Sequence, residues 1–374
     1  MKFINKYLGF AIPFAIIIYS VVINKFPDGY IYTSGDYAQP VNIKYVFEQI
    51  FYVWGNKISA IGEGGFQSWF AAIPYYLVFY RIPDILNFTG SQTLSFILFL
   101  FLCLSYISFY FAAKSLSPGN YIFLKYFSLL YAFNLTTLYF YEYTWGFSHH
   151  IFLYITIPIL FTTFYKSLKE PTLRNFSFYI LSLVISISGF ANAAFFGAFV
   201  LYSTLFVLFQ ILQGTIKLNK ITIILLAQIA VLSIFAISYW ILPMLSFAIE
   251  GIKDISMGKV FNSNDWLRSQ SANITSILIG NQNYKIFYPF KYGAKLFYLF
   301  ALTPIILFIY LLKNQKKLNK ENSSIIVSFL GILGVFVLLI KKSSQPFGEL
   351  TLNLFQFQPL MIFRSYEKLA IFIP

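Results

Sequence analysis

The chain has 374 residues, of which 58 % are hydrophobic and 11 % charged, with a net charge of +14 and a mean hydropathy of +0.70. A soluble domain carries about 25 % charged residues, so this chain lacks the polar surface to cover a water-soluble particle and reads as a polytopic membrane protein. The basic balance does not imply nucleic acid, because Lys and Arg beside apolar spans hold loops on the cytoplasmic face and meet anionic lipid heads.

In chain order, the start "MKFINKYLGFAIPFAIIIYSVVIN" is basic, then apolar. No small-residue cleavage site follows, so it reads as a retained first span. A span needs about 20 mostly apolar residues. The runs that qualify are 7–23, 92–113, 121–140, 151–165, 175–190, 193–213, 221–241, 295–312 and 323–340. The expected fold class is therefore all-α, a transmembrane helical bundle of about nine spans whose long extracytoplasmic loops carry short helices. Cys103, the only cysteine, lies inside one run, which excludes an intramolecular disulfide and a cysteine metal site. No internal repeat or interdomain linker stands out, so residues 1–374 read as a single membrane domain. The chain stops inside the apolar run "KLAIFIP", and the expectation is an N-terminal fragment of a longer protein.

The stretch 67–82, "QSWFAAIPYYLVFYRI", is ambiguous: short, interrupted by Pro74 and followed by Asp84. The positive-inside rule decides it. If it does not cross, the loops bearing Lys2/Lys6, Lys114, Lys166/Lys169/Arg174, Lys217/Lys220 and Lys313/Lys316/Lys317/Lys320 all fall on the cytoplasmic side. If it crosses, they face out. The non-crossing reading makes 24–91, 242–294 and 341–374 extracytoplasmic. Of the 13 acidic residues, only Glu170 and Glu321 then lie inside. Groups able to act as a general base or metal ligand are gathered outside.

Asp36 leads the candidates, in "YIYTSGDYAQPVN" (30–42). A Gly-Asp turn bends sharply and presents its carboxylate, and Tyr32, Tyr37 and Trp54 supply aromatic faces that sit at a membrane interface and stack on sugars. An ordinary Asx turn is the plain alternative. "YEYTWGFSHH" (141–150) holds Glu142, Trp145 and both histidines. His149 and His150 point about 100° apart on a helix and do not readily share one metal. Glu142 and one histidine, His149 the candidate, would join Asp36 as ligands of a divalent ion, the one cofactor these residue types leave open; an interfacial aromatic belt with solvated histidines is the alternative. "ISGFANAAFFGAF" (187–199) reads as close helix packing. Trp240 and Pro243 are expected to mark a helix leaving the bilayer. Glu250 and Asp265 follow, either as a second active-site acid, a role Glu142 also fits, or as solvated loop acids. Arg364 and Lys368 in "FRSYEKLAIF" lie at i,i+4 on one face, a pairing suited to a phosphate and equally to lipid heads or an ion pair with Glu367.

The ordered set "SGD" (34–36), "GFANAA" (189–194), "YWILPML" (239–245) and "FRSYEK" (363–368) resembles the GT-C superfamily of integral-membrane glycosyltransferases. More narrowly it resembles the large arabinofuranosyltransferases of mycobacterial cell-wall assembly and their uncharacterised relatives. The resemblance implies a GT-C-like module, a polyprenyl-phosphate-linked sugar donor, and a glycan, glycolipid or protein acceptor outside the membrane. It implies Asp36 as the first-loop catalytic carboxylate and Arg364 as a phosphate-facing arginine. Two other classes remain: a transporter or lipid flippase, which would carry polar or charged groups near mid-membrane, where these runs show almost none apart from Lys125 near one end, and a non-catalytic membrane subunit of an envelope-assembly complex.

Overall fold

The computed structural model describes residues 2–23, 33–34, 37–38, 73–116, 121–134, 137, 148–190, 193–251, 271, 320–344, 346–355, 360, 369 and 372. Nearly all of these are helical: α1 (Lys2–Ile23), α2 (Ile73–Phe79), α3 (Arg81–Ile85), α4 (Gly90–Leu116), α5 (Tyr121–Ala132), α6 (Ser148–Lys169), α7 (Leu173–Ile185), α8 (Ala193–Leu212), α9 (Lys220–Gly251), α10 (Lys320–Lys341) and α11 (Gly348–Leu354). A 3₁₀ turn, Ser186–Phe190, extends α7. Two-residue strands β1 (Thr33–Ser34) and β2 (Tyr37–Ala38) pair antiparallel.

Six helical stretches among the described residues are long and apolar enough to cross a membrane: Gly90–Leu116, His150–Lys169, Leu173–Phe190, Ala194–Leu212, Lys220–Tyr239 and Lys320–Lys341. They match six of the expected spans. The expected span 295–312 lies outside the described residues. Their local signals are legible. Thr89 and Gln92 form a reciprocal capping box at the start of α4, with Thr89 N–H donating to Gln92 Oε1 at 2.9 Å and Gln92 N–H to Thr89 Oγ1 at 3.4 Å. Thr172 Oγ1 and Asn219 Oδ1 cap α7 and α9 by accepting from Asn175 N–H and Thr222 N–H.

One expectation changes. The run 121–140 is not one continuous helix: α5 ends at Ala132, and the Asn134 side chain accepts from Thr137 N–H at 2.9 Å. That local bond competes with the helical ladder. Past Trp240 and Pro243, α9 stays helical to Gly251. At 1.5 Å per residue its 32 residues measure about 48 Å, against a hydrocarbon core of about 30 Å.

The chain divides into two compact units. In the first, α4 packs on α5, α6 and α1, and α6 packs on α7 and the 3₁₀ turn. Its centre is a clasp between Tyr131 of α5 and Tyr154 of α6. Each hydroxyl donates to the other's backbone carbonyl, at 2.8 and 2.6 Å, and the rings stack 4.4 Å apart. Phe109 of α4 stacks on Tyr131 at 4.7 Å. Nearby, Phe10 of α1 lies edge-on to Tyr110 and carries the Lys125 ammonium 4.1 Å above its ring, so a nearly buried cation rests on an aromatic face.

In the second unit α8 packs on α10. Gln210 and Gln213 both donate to Ser328 Oγ, at 2.9 and 3.1 Å, and Thr215 meets Ser324 at 2.7 Å. Gly214, at φ 68°, turns the chain after α8. Gly331 lies beneath the ring tip of Phe209.

Glycine positions divide sharply by environment. A Cβ on Gly189 would fall 2.6 Å from Leu153 Cβ and 2.8 Å from its Cα, whereas one on Gly334 meets nothing within 4 Å. Gly189→Ala is expected to lower stability by about 1–3 kcal/mol through forced separation of the 3₁₀ turn from α6, and Gly334→Ala to leave it unchanged or slightly raised. Thermal unfolding of the two detergent-purified variants checks this.

Candidate functional site

Most of the site expected from sequence falls outside the described residues: Asp36, Tyr32, Trp54, Glu142, Trp145, Asp265, Arg364 and Lys368. The structure places the backbone of three others. Tyr37 is in β2, His149 in the first turn of α6, and Glu250 near the end of α9, so Glu250 sits on a helix rather than in a loop.

The surroundings of Asp36 are partly defined. Thr33 pairs with Ala38 and Ser34 with Tyr37. Only Gly35 and Asp36 join the two strands, and a two-residue connection is the tightest ordinary link between antiparallel strands. The strand pair fixes the chain on either side of the carboxylate with backbone hydrogen bonds.

The far end of the same loop is built on α2 and α3. With 7 and 5 residues, these helices are about 10 and 8 Å long. α2 is held by tertiary contact: Ser188 Oγ, from the 3₁₀ turn, accepts from Tyr75 N–H at 3.1 Å. That supplies one of the partners a helix start lacks. Tyr75 and Phe79 pack against Phe152 of α6. The "GF" of "GFANAA", Gly189 and Phe190, therefore belongs to the packing that seats α2, and Phe190 is fully buried. On the outer side of α3 the Arg81 guanidinium bonds Asp84 at 2.9 Å.

Tyr75, Tyr76 and Tyr80 share this corner. Burial pushes the Tyr76 phenol up to about 12. Burial first, and then the neighbouring phenols, hold Tyr75 and Tyr80 well above the usual tyrosine range. All three are neutral at physiological pH and act as hydrogen-bonding, ring-packing groups rather than bases.

His150 is 3 % exposed in α6, which removes it from the solvated belt considered from sequence. Among the described residues no three His, Cys, Asp or Glu side chains gather closely enough to hold a metal.

Two charged residues escaped sequence reasoning as site candidates. Lys341 and Lys342, at the end of α10, are both shut off from solvent. The Lys341 ammonium donates to Ser344 O at 2.9 Å, and that of Lys342 lies 5.9 Å from the Phe355 ring. Ser271 ties the following turn down through Ser343, with hydroxyls 2.6 Å apart. The available signal was two adjacent lysines ending an apolar run at 341–342, the start of a segment expected from sequence to lie outside. No family model matches the chain, and no curated protein or solved structure does so either.

An unfolded chain ionises its phenols near pH 10, the folded chain only near 12 for Tyr76. The folded pKa is raised, so this stability is intact below pH 10 and is lost as pH rises through the folded value. Each such phenol contributes a slope of about 1.4 kcal/mol per pH unit in that window. Tyr76→Phe is expected to flatten the loss by one group, read from unfolding midpoints at pH 9, 10.5 and 11.5.

Proposed function

We propose that this chain is a membrane glycosyltransferase that moves a sugar from a polyprenyl-phosphate donor to a glycan, glycolipid or protein acceptor on the extracytoplasmic side. The observation that carries the reading is the antiparallel pairing of Thr33–Ser34 with Tyr37–Ala38 around Gly35 and Asp36, shortly after the first apolar helix. It gives a carboxylate a defined backbone setting in a loop that charge asymmetry assigns to the outer face. The same charge asymmetry carries the orientation, because a loop that does not cross keeps the basic loops on one cytoplasmic side.

In the proposed reaction Asp36 accepts the proton of the acceptor hydroxyl as that oxygen attacks the anomeric carbon. The bond from that carbon to the phosphate oxygen breaks, and polyprenyl phosphate leaves with the electron pair. Arg364 and Lys368 stabilise the charge growing on the phosphate. Tyr32, Tyr37, Trp54 and Trp145 offer ring faces to the sugar. The scarcity of charge in the spans favours this reading over a pump.

Asp36→Asn is expected to lower transfer from a polyprenyl-phosphate sugar by at least about a hundredfold at unchanged membrane abundance, measured in isolated membranes. Full transfer by that variant would exclude Asp36 as the base, and no transfer by the parent with any such donor would favour a non-catalytic subunit. Arg364→Ala is expected to raise the donor KM more than the acceptor KM; equal changes would exclude a phosphate role.

A further inference from the structure

We propose that α9 is the contact helix of a parallel dimer, formed with a second copy of this chain around Gln228. Of the six candidate spans, Lys220–Tyr239 is the least buried, with 22 % of its apolar window covered. Leu225, Ile229, Ser233 and Ile237 turn inward, and the rest of the circumference is open. On one side of it Ile221, Ile224, Gln228, Val231 and Phe235 are all exposed. They follow one another at intervals of three, four, three and four residues, the a/d spacing of a two-helix seam. The four apolar members are between 47 and 75 % exposed.

Apolar exposure alone says nothing here, since lipid tails are as apolar as leucine. Gln228 does. It is the ninth residue of its span, about 12 Å from the Lys220 end along the helix, well inside a core about 30 Å thick. Its side-chain amide bonds to no described residue. A glutamine side chain is too short to reach the headgroups from that depth, and an unmade amide bond in hydrocarbon costs several kcal/mol.

The chemistry of the group selects the occupant. An amide carries both donors and an acceptor, so it is complementary to itself, which a lysine or a carboxylate is not. Two copies inserted in the same direction can be related only by an axis along the membrane normal. That symmetry places Gln228 of one copy at the same depth as Gln228 of the other, where the amides exchange two hydrogen bonds across an isologous contact. The inference rests on the membrane reading alone and is independent of the transferase proposal.

The test uses membranes holding two differently tagged copies of the chain in a Cys103→Ala background. Single cysteines are placed on the seam by Ile224→Cys or Val231→Cys, and off it by Ile223→Cys, which is 55 % exposed and about 100° from Ile224 around the helix. Oxidation with copper phenanthroline is expected to give mixed-tag disulfide dimers from the seam positions and not from Ile223→Cys. Equal trapping at all three, or monomers throughout, overturns the proposal; monomers would instead assign the seam to another segment of the chain, such as 295–312, or to lipid. In proteoliposomes, Gln228→Leu is expected to weaken self-association about tenfold by photobleaching step counts, with Gln228→Asn retaining most of it. Undiminished association in Gln228→Leu overturns the role of the amide.

Discussion

Hydrocarbon offers no hydrogen bonds, and that constraint shapes the described part of this chain. Helices answer it for the backbone. Hydroxyls inside them answer it by donating to the carbonyl four residues back, as Ser20 does to Ile16, Thr156 to Phe152 and Ser167 to Thr163. Longer polar groups, and some of the hydroxyls as well, find partners on another helix and so join the helices that meet. Tyr131 and Tyr154 use each other's carbonyls, Tyr179 meets Ser233 at 2.8 Å, Thr163 meets Ser182 at 2.7 Å, and two glutamines converge on Ser328. The polar residues of the spans are thus few but direct the pairing. Gln228 is conspicuous because it has the need without a described partner.

Once the medium is as apolar as the side chains, shape does the sorting. Gly189 against Leu153 and Gly331 beneath Phe209 are sites where the neighbour occupies the space a Cβ would need. At 21 % aromatic, the chain has rings enough to fill such contacts by stacking, as in Phe109–Tyr131–Tyr154. A ring face also tolerates the one buried cation of α5, Lys125, over Phe10.

This division explains what the sequence disclosed. Long apolar runs are one-dimensional signals, so six spans could be read directly. The break after Ala132 could not, because leucines and aromatics flank Asn134 on both sides in the sequence and the Asn134–Thr137 bond shows only in the structure. That α9 stays helical past Pro243 was not legible either: proline removes one ladder bond without having to end the helix. Of the site, the tight Gly-Asp link was legible from residue type, and the strand pair around it agrees with that local chemistry. The seating of α2 by Ser188 was not legible, since it joins residues 113 positions apart. Nor was the burial of Lys341 and Lys342, which depends on Ser271 and Phe355 arriving from distant segments.

The basic residues at the helix ends do not follow the helix dipole alone. A helix C-terminus favours cations and an N-terminus disfavours them. Lys114 ends α4 and Lys166 and Lys169 end α6, in keeping with the dipole. Arg174, however, lies in the first turn of α7, and Lys220 and Lys320 open α9 and α10, against it. Helix electrostatics cannot produce both patterns. The sidedness expected from the sequence accounts for both, since antiparallel crossings would present C-termini and N-termini alternately to one face. Lys341 closes a helix that Lys320 opens; the dipole of α10 favours a cation there, and its burial and its bond to Ser344 O tie it into the local structure.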